Sequence, residues 1–186
     1  FSAISVKNLF NRFDFDLIDL LPQKTHGGSM RYVIAHKGKY QIQPIVNQII
    51  EQEDIQGLGD IKSLKLFAGN INDSRDILLD ILKSLKSKGK SIAGYAATSK
   101  STTILNYCQI GTEILDYICD TTPLKQDKYS PGMHIPIVSH EYFIDNPPDY
   151  ALLLAWNHSE EIMKKEQSFI DNGGHWILNV PIPQII

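Results

Sequence analysis

The chain reads Ser91-Ile92-Ala93-Gly94-Tyr95-Ala96-Ala97-Thr98-Ser99-Lys100-Ser101-Thr102-Thr103 where an apolar run gives way to small and hydroxyl residues. The apolar residues predict a strand at Ser91 to Tyr95, and a helix is predicted from Thr102 to Cys108. Free backbone N–H groups at a helix start attract anions, and the hydroxyls and the lysine add donors. The segment therefore predicts either a tight turn with a hydroxyl cap or a cradle for phosphate. It is neither a Walker A loop nor a complete dinucleotide-binding fingerprint, because the later glycines are missing.

Strands and helices alternate after this segment. A second strand is predicted at Leu115 to Cys119, and Tyr150 to Ala155 is apolar enough for a strand that is buried on both faces. Glu160 to Asp171 predicts a helix with Asn157 as its cap, and the last strand is predicted at Trp176 to Val180. This alternation predicts an α/β fold, a Rossmann-like doubly wound parallel sheet, over residues 89–186.

The residues before this domain follow other patterns. Residues 1–40 predict a helix and an antiparallel pair of strands, Phe15 to Leu21 and Met30 to Ala35, joined through Thr25-His26-Gly27-Gly28-Ser29. Residues 41–88 predict a helical connector, either one long helix or two helices broken near Gly57-Leu58-Gly59. Seven of its apolar residues share one helical face: Ile61, Leu64, Phe67, Ile71, Leu78, Leu82 and Leu85. The chain opens on Phe1, within a helical pattern, so we expect a fragment of something longer.

Candidate binding residues follow the strands, because ligands of doubly wound sheets bind beyond the carboxyl ends of the strands. Asp120 follows the second strand, where an acid either takes sugar hydroxyls or caps a turn. The long loop from Gln126 to Pro136 carries His134, which either lines a cleft or packs. Trp156 and His158 follow the strand that ends at Ala155 and either face the cleft or serve packing. The loop after the first strand adds Ser99 to Thr102, and the loop between the two amino-terminal strands adds His26. The full set is Ser99, Lys100, Ser101, Thr102, Asp120, His134, Trp156, His158 and His26.

Composition excludes several functional classes. The net charge of −3 lacks the concentrated positive field that nucleic acids require. Cys108 and Cys119 are expected to be buried free thiols, and neither a metal-ligand spacing nor a nucleophile–base set is present. The sequence also has no apolar run of membrane-spanning length and no secretion signal, which makes the cytoplasm the expected compartment.

Three separated runs resemble a known family. They are Gly94 to Cys108, Asp120 to Lys125 with Tyr129 to Pro136 after it, and Leu154 to His158 with Glu161-Ile162 after it. Together they resemble the C-terminal domain of S-adenosylmethionine-dependent C-methyltransferases, a group that includes nucleotide-sugar C-methyltransferases of deoxysugar pathways. The Thr25 to Arg31 stretch resembles the tail of the methyltransferase domain that precedes it in those proteins. In one respect the sequence departs from the family, since Ala96 stands where glycine is usual.

The resemblance implies a role within a longer enzyme. In that enzyme a base removes a proton next to a carbonyl, and the resulting enolate attacks the methyl group of S-adenosylmethionine. The zinc-binding cysteines, the glycine-rich loop for S-adenosylmethionine and the region that supplies the base all precede the part that this chain resembles. The chain would then grip a nucleotide-linked sugar, with Lys100 and its neighbouring hydroxyls on phosphate and His26 reaching the sugar from the other domain. By itself it is expected to be inactive and to contain no catalytic residue.

Two other interpretations remain. One is a stand-alone module that binds a nucleotide or coenzyme without methyl chemistry. The other is a structural domain whose cleft is kept for subunit contacts.

Overall fold

A computed structural model describes residues 1–186, with the exception of the side chain of His26. Its contacts divide the chain into two compact units, Phe1–Asn70 and Ile71–Ile186. The division falls within the long helix that links the two patterns predicted from the sequence. The predicted boundaries after residues 40 and 88 stay a prediction.

The first unit is built on a two-stranded antiparallel sheet. It contains α1 (Ala3–Asn11), β1 (Phe15–Gln23), β2 (Ser29–His36) and α2 (Pro44–Ile55). The predicted antiparallel pair is confirmed. The register shifts between Leu17 and Asp19, which is why Leu17 and Leu20 both reach the core although they are three residues apart. Their core partners are Ala3, Val6 and Val46.

The helical connector forms two helices, the second of the two arrangements that the sequence left open. α2 ends at Ile55, Gly57 has a φ of +69°, and α3 runs from Ile61 to Ser87. The single apolar face predicted for α3 is buried only in part. Leu78, Leu82 and Leu85 belong to the core of the second unit, whereas Ile61, Leu64 and Phe67 are 62%, 50% and 63% exposed.

The second unit is a doubly wound α/β domain, which confirms the predicted fold class. Five strands are parallel, namely β3 (Ile92–Tyr95), β4 (Ile118–Cys119), β6 (Pro136–Val138), β7 (Tyr150–Leu153) and β8 (His175–Leu178). Two antiparallel strands, β5 (Lys128–Tyr129) and β9 (Gln184–Ile185), lie at the edges, and the order across the sheet is β5-β6-β4-β3-β7-β8-β9. The helices are α4 (Ser99–Cys108), α5 (His140–Asp145), α6 (Ser159–Lys165) and α7 (Gln167–Asp171).

Two apolar clusters cover the two faces of this sheet. Ile92 packs in the cluster that includes α3 and α4, whereas Ala93 packs in the cluster that includes α5 and α7. This alternation explains why β3 and β7 are apolar throughout. The two thiols, Cys108 and Cys119, are free and buried, as predicted.

Several predicted elements differ from the structure. The helix predicted from Thr102 begins at Ser99. The strand predicted at Leu115 to Cys119 is only Ile118–Cys119, and the long loop from Gln126 contains β5 and leads into β6 and α5, which the sequence pattern did not reveal. β5 and β6 are two and three residues long, too short for an alternation to be visible. The helix predicted at Glu160 to Asp171 is divided into α6 and α7 at Glu166.

Candidate functional site

The topology places a crevice between β3 and β7. These strands are parallel neighbours, with Gly94 opposite Leu152, but the chain leaves β3 toward β4 on one side of the sheet and returns to β7 on the other. The loops that follow the two strands therefore diverge at their carboxyl ends, which is where ligands bind in open α/β sheets. One wall of this switch-point crevice is the loop 96–98 with the start of α4, and the other is the segment 154–158.

The loop after β3 is a strained turn with a hydroxyl cap. Ala96 has a φ of +76°, a conformation that favours glycine, and its N–H donates to the carbonyl of Cys119 at 2.7 Å. Thr98 Oγ1 accepts from the N–H of Ser101 at 3.1 Å, and the Ser101 hydroxyl donates back to the Thr98 carbonyl at 2.5 Å. Ser101 is buried and used within the helix cap, whereas Ser99 is exposed and Thr102 is half-buried. The predicted cap is present, and Ser99 and Thr102 keep hydroxyls for a ligand.

Lys100 connects the two walls. Its Nζ donates to Asn157 Oδ1 at 2.7 Å and lies 5.5 Å from the centroid of the Trp156 ring. The side chains of Lys100 and Trp156, predicted from separate motifs, are thus brought together. Asn157 was predicted as a helix cap, and this is wrong. It lies in a 3-10 turn, Trp156–His158, and the cap position of α6 is His158, which makes no capping hydrogen bond.

Asp120 accepts hydrogen bonds from the turn that follows β4. Its Oδ2 accepts from the N–H of Ala97 at 2.8 Å and from Lys125 Nζ at 2.9 Å, and its Oδ1 accepts from the N–H of Thr122 at 2.8 Å. Burial raises the pKa of Asp120, but the hydrogen bonds from Lys125 and Thr122 outweigh it and hold the pKa below its ordinary value. With a side chain only 6% exposed, Asp120 positions the first wall.

Of the histidines in the predicted set, His134 and His158 are both exposed, and each contacts a different segment of the second unit. His134 is exposed and has a φ of +52°, and its N–H donates to the Ser130 carbonyl. His158 is exposed next to Glu161, with 3.8 Å between Nδ1 and Oε2, and lines a separate hollow of about 390 Å³ with Asn157. His26 belongs to the first unit, and its side chain lies outside the described part of the chain.

A cavity lined by both apolar and polar residues adjoins the first wall. Its volume is about 360 Å³, and it lies between the start of α4 and the loop that follows Asp120. Ser99 and Thr102 from the predicted set line it. So do several residues that the sequence reasoning did not select as binding residues: Leu124, Lys125, Lys128, Tyr129 and Ser130.

The cavity lysines are held in place by the loop itself. Lys125 is paired with Asp120, and Lys128 Nζ donates to the Leu124 carbonyl at 2.5 Å. Tyr129 is 67% exposed and offers the face of a ring. Hydroxyls, ammonium groups and an aromatic face suit an anionic ligand that carries a planar ring. The clue in the sequence was the pair of lysines and the tyrosine in a long loop that follows a strand.

Other types of site are not apparent in the described residues. No three or more His, Cys, Asp or Glu side chains there are grouped to hold a metal ion. None of the helices described is both long and apolar enough to cross a bilayer.

The chain is similar in sequence to known proteins. A family model described as the C-methyltransferase C-terminal domain matches residues 24–181. The C-methyltransferase NovU of Streptomyces niveus is 34% identical over 187 residues, which covers 100% of this chain and 44% of NovU. The chain thus spans less than half the length of that curated relative.

Proposed function

The chain belongs to the C-methyltransferase C-terminal domain family, and we propose that it grips a nucleotide-linked sugar during methyl transfer to carbon. The family assignment confirms the resemblance found in the three sequence runs. The observation that carries the proposal is the pair of walls at the switch point, with Lys100 reaching from one to the other beside a cavity that hydroxyls and lysines help to line.

The diphosphate is assigned to the first wall. Lys100 supplies an ammonium group, and Ser99 and Thr102 supply hydroxyls at the first turn of α4, where the helix dipole also favours negative charge. Lys100 now donates to an uncharged amide oxygen, so a phosphate offers it a stronger, charge-assisted partner. Lys125 and Lys128 lie in the adjoining cavity, and the Tyr129 ring offers a platform for the base.

Trp156 and His158 complete the second wall. The Trp156 ring lies next to Lys100 and offers an apolar face to the sugar, a contact common between aromatic rings and the C–H faces of small ligands. His158 and the exposed His134 are assigned to the outer rim of the site.

S-adenosylmethionine is not assigned to this chain. The residues of this sheet do not fit that cofactor. A methyl group stands at Ala96, in the turn where close backbone approach favours glycine, and the oxygens of Asp120 already accept from three donors. We therefore expect the isolated chain to bind substrate without transferring a methyl group.

Calorimetric titration tests the proposal. The chain is titrated with uridine and thymidine diphosphate, with their glucose conjugates, and with S-adenosylmethionine. We expect binding of at least one nucleotide and none of S-adenosylmethionine. Lys100→Ala is expected to weaken nucleotide binding about tenfold to a hundredfold, since a charge-assisted hydrogen bond contributes about 1.5–3 kcal/mol.

Lys88→Ala is the matched control. Lys88 is exposed and precedes β3, so it lies at the amino edge of the sheet, away from the crevice. Its loss should leave the affinity within about twofold, because exposed charges at a distance are screened. Equal losses in both variants, or no nucleotide binding in the unmodified chain, would favour the structural interpretation of the domain.

A further inference from the structure

A buried carboxylate joins three loops at the carboxyl edge of the sheet. Glu166 has a side chain that is 5% exposed, and its Oε1 accepts from the Tyr95 hydroxyl at 2.7 Å. His140 Nε2 lies 2.8 Å from the same oxygen and donates to it when Nε2 carries the proton. Lys165 Nζ is 3.5 Å away. The carboxylate therefore has two close partners from distant parts of the chain and a cation beside it.

The partners of Glu166 stand directly behind the walls of the crevice. Tyr95 is the last residue of β3 and precedes Ala96, where the first wall begins. Glu166 is the C-cap of α6, the seven-residue helix that follows the Trp156–His158 turn of the second wall. His140 begins α5, just after β6. The Tyr95–Glu166 hydrogen bond thus links both walls from within the domain, whereas Lys100–Asn157 links them at the crevice itself.

Packing alone does not require this carboxylate. The surrounding cluster is apolar and aromatic, with Phe143, Phe169 and Trp176 around Tyr95. Burying a charge is costly, and an apolar pair of similar shape often gives equal or greater stability. The helix that the sequence predicts over residues 160–171 is also interrupted at Glu166. The carboxylate adds directional contacts. Its hydrogen bonds fix the distance between the two walls, whereas apolar contacts would allow the walls to shift against each other.

We propose that Glu166, through Tyr95 and His140, is a positioning residue that sets the separation of the two walls and so the fit of the crevice to its ligand. This assignment rests on the proposed function, since it concerns the same crevice. Glu166 touches no substrate in this role. It acts through β3 on one wall and through α6 on the other.

The chain offers a matched control in Asp149. Asp149 is likewise a carboxylate with several partners, and it accepts hydrogen bonds from the Ser91 N–H at 2.8 Å, the Ser91 hydroxyl at 2.9 Å and Lys90 Nζ at 3.0 Å. It too joins the segments of β3 and β7, but ahead of both strands, at the amino edge of the sheet. Breaking this second network tests whether the loss of any carboxylate with several hydrogen bonds changes amide exchange at the walls and ligand affinity in the same way.

The test compares Tyr95→Phe/Glu166→Leu with Asp149→Asn in the intact chain. The double variant replaces the Tyr95–Glu166 pair by apolar groups of similar shape, and His140, with a side chain 21% exposed, can then hydrogen-bond to water, so the variant should remain folded. Backbone amide exchange is measured at residues 97–98 and 154–158, and affinity is measured for the nucleotide sugar that binds the unmodified chain best. We expect exchange at the walls to rise about tenfold and affinity to fall about tenfold, the size of one charge-assisted hydrogen bond, with Tm nearly unchanged.

Amide exchange at the walls decides whether Glu166 positions them. Unchanged exchange at the walls in the double variant would overturn the inference, as would equal wall exchange and affinity loss in Asp149→Asn. Tyr95→Phe alone, which leaves His140 and Glu166 paired, should give a smaller rise in the same residues. If no nucleotide sugar binds the unmodified chain, the proposed function fails while amide exchange still decides whether Glu166 positions the walls.

Discussion

Ala96 determines the direction in which the chain enters the first wall. Its φ of +76° turns the chain from β3 toward α4, and the next N–H, that of Ala97, then reaches Asp120. An L-residue in this conformation is strained by about 1–2 kcal/mol, which the surrounding hydrogen bonds offset.

A glycine scan of the two neighbouring alanines tests this strain. Ala96→Gly removes the strain of the left-handed conformation, but it also raises the conformational entropy of the unfolded chain. We therefore expect the free energy of unfolding to stay equal or to rise by up to about 1 kcal/mol. Ala97→Gly has no strain to relieve and should lower it by about 0.5–1 kcal/mol. Chemical denaturation measures both. Equal losses in the two variants would show that Ala96 is not strained.

Residue roles in the site were only partly predictable. Lys100 and the hydroxyls were selected as candidates because helix starts with such residues have a recognisable pattern. The partner of Lys100 was not, because Asn157 approaches it only when two loops separated by more than fifty residues meet in the fold. Asp120 had two possible roles in the sequence, and the structure gives both of its oxygens to the turn and to Ala97.

The elements that were missed or misjudged are the short ones. β5 and β6 have too few residues to show a period, whereas β3, β7 and α3 were found from their apolar patterns. The break between α6 and α7 left no local signal such as glycine or proline. It arises from the hydrogen bonds of Glu166 with Tyr95 and His140, which are tertiary contacts that override helical propensity.

The starts of β3 and β7 depend on Asp149. Hydrogen bonds from Ser91 and Lys90 lower the pKa of Asp149 to about 2. Because the folded pKa lies below the ordinary value of 3.8, this carboxylate stabilises the fold above about pH 4, and the contribution is lost as the pH falls toward 2. The difference in unfolding free energy between the unmodified chain and Asp149→Asn should therefore shrink over that interval.

Denaturation curves between pH 7 and pH 2 measure the difference. Asp145→Asn, at an exposed position on α5, is the control and should show little change from the unmodified chain at any pH. A difference for Asp149→Asn that stays constant down to pH 2 would mean that the ionised form of Asp149 does not stabilise these strands.

At the scale of the whole molecule, the fold class followed from alternation alone, while the strand order did not. Nothing in the sequence said that the chain crosses the sheet between β6 and β7, yet this crossing creates the crevice. The family match covers residues 24–181 and so includes parts of both units. Residues 1–40 remain predicted to be the tail of a methyltransferase domain, and their antiparallel hairpin is compatible with that prediction.

The most direct test of the crevice is a map of where a nucleotide sugar binds. Backbone amide chemical shifts of the chain are recorded during titration with thymidine diphosphate glucose and, separately, uridine diphosphate glucose. We expect at least one of them to cause saturable shifts centred on residues 97–102 and 156–158, at the two walls that Lys100 connects. Saturable shifts confined to other parts of the chain, or none with either compound, would contradict the account.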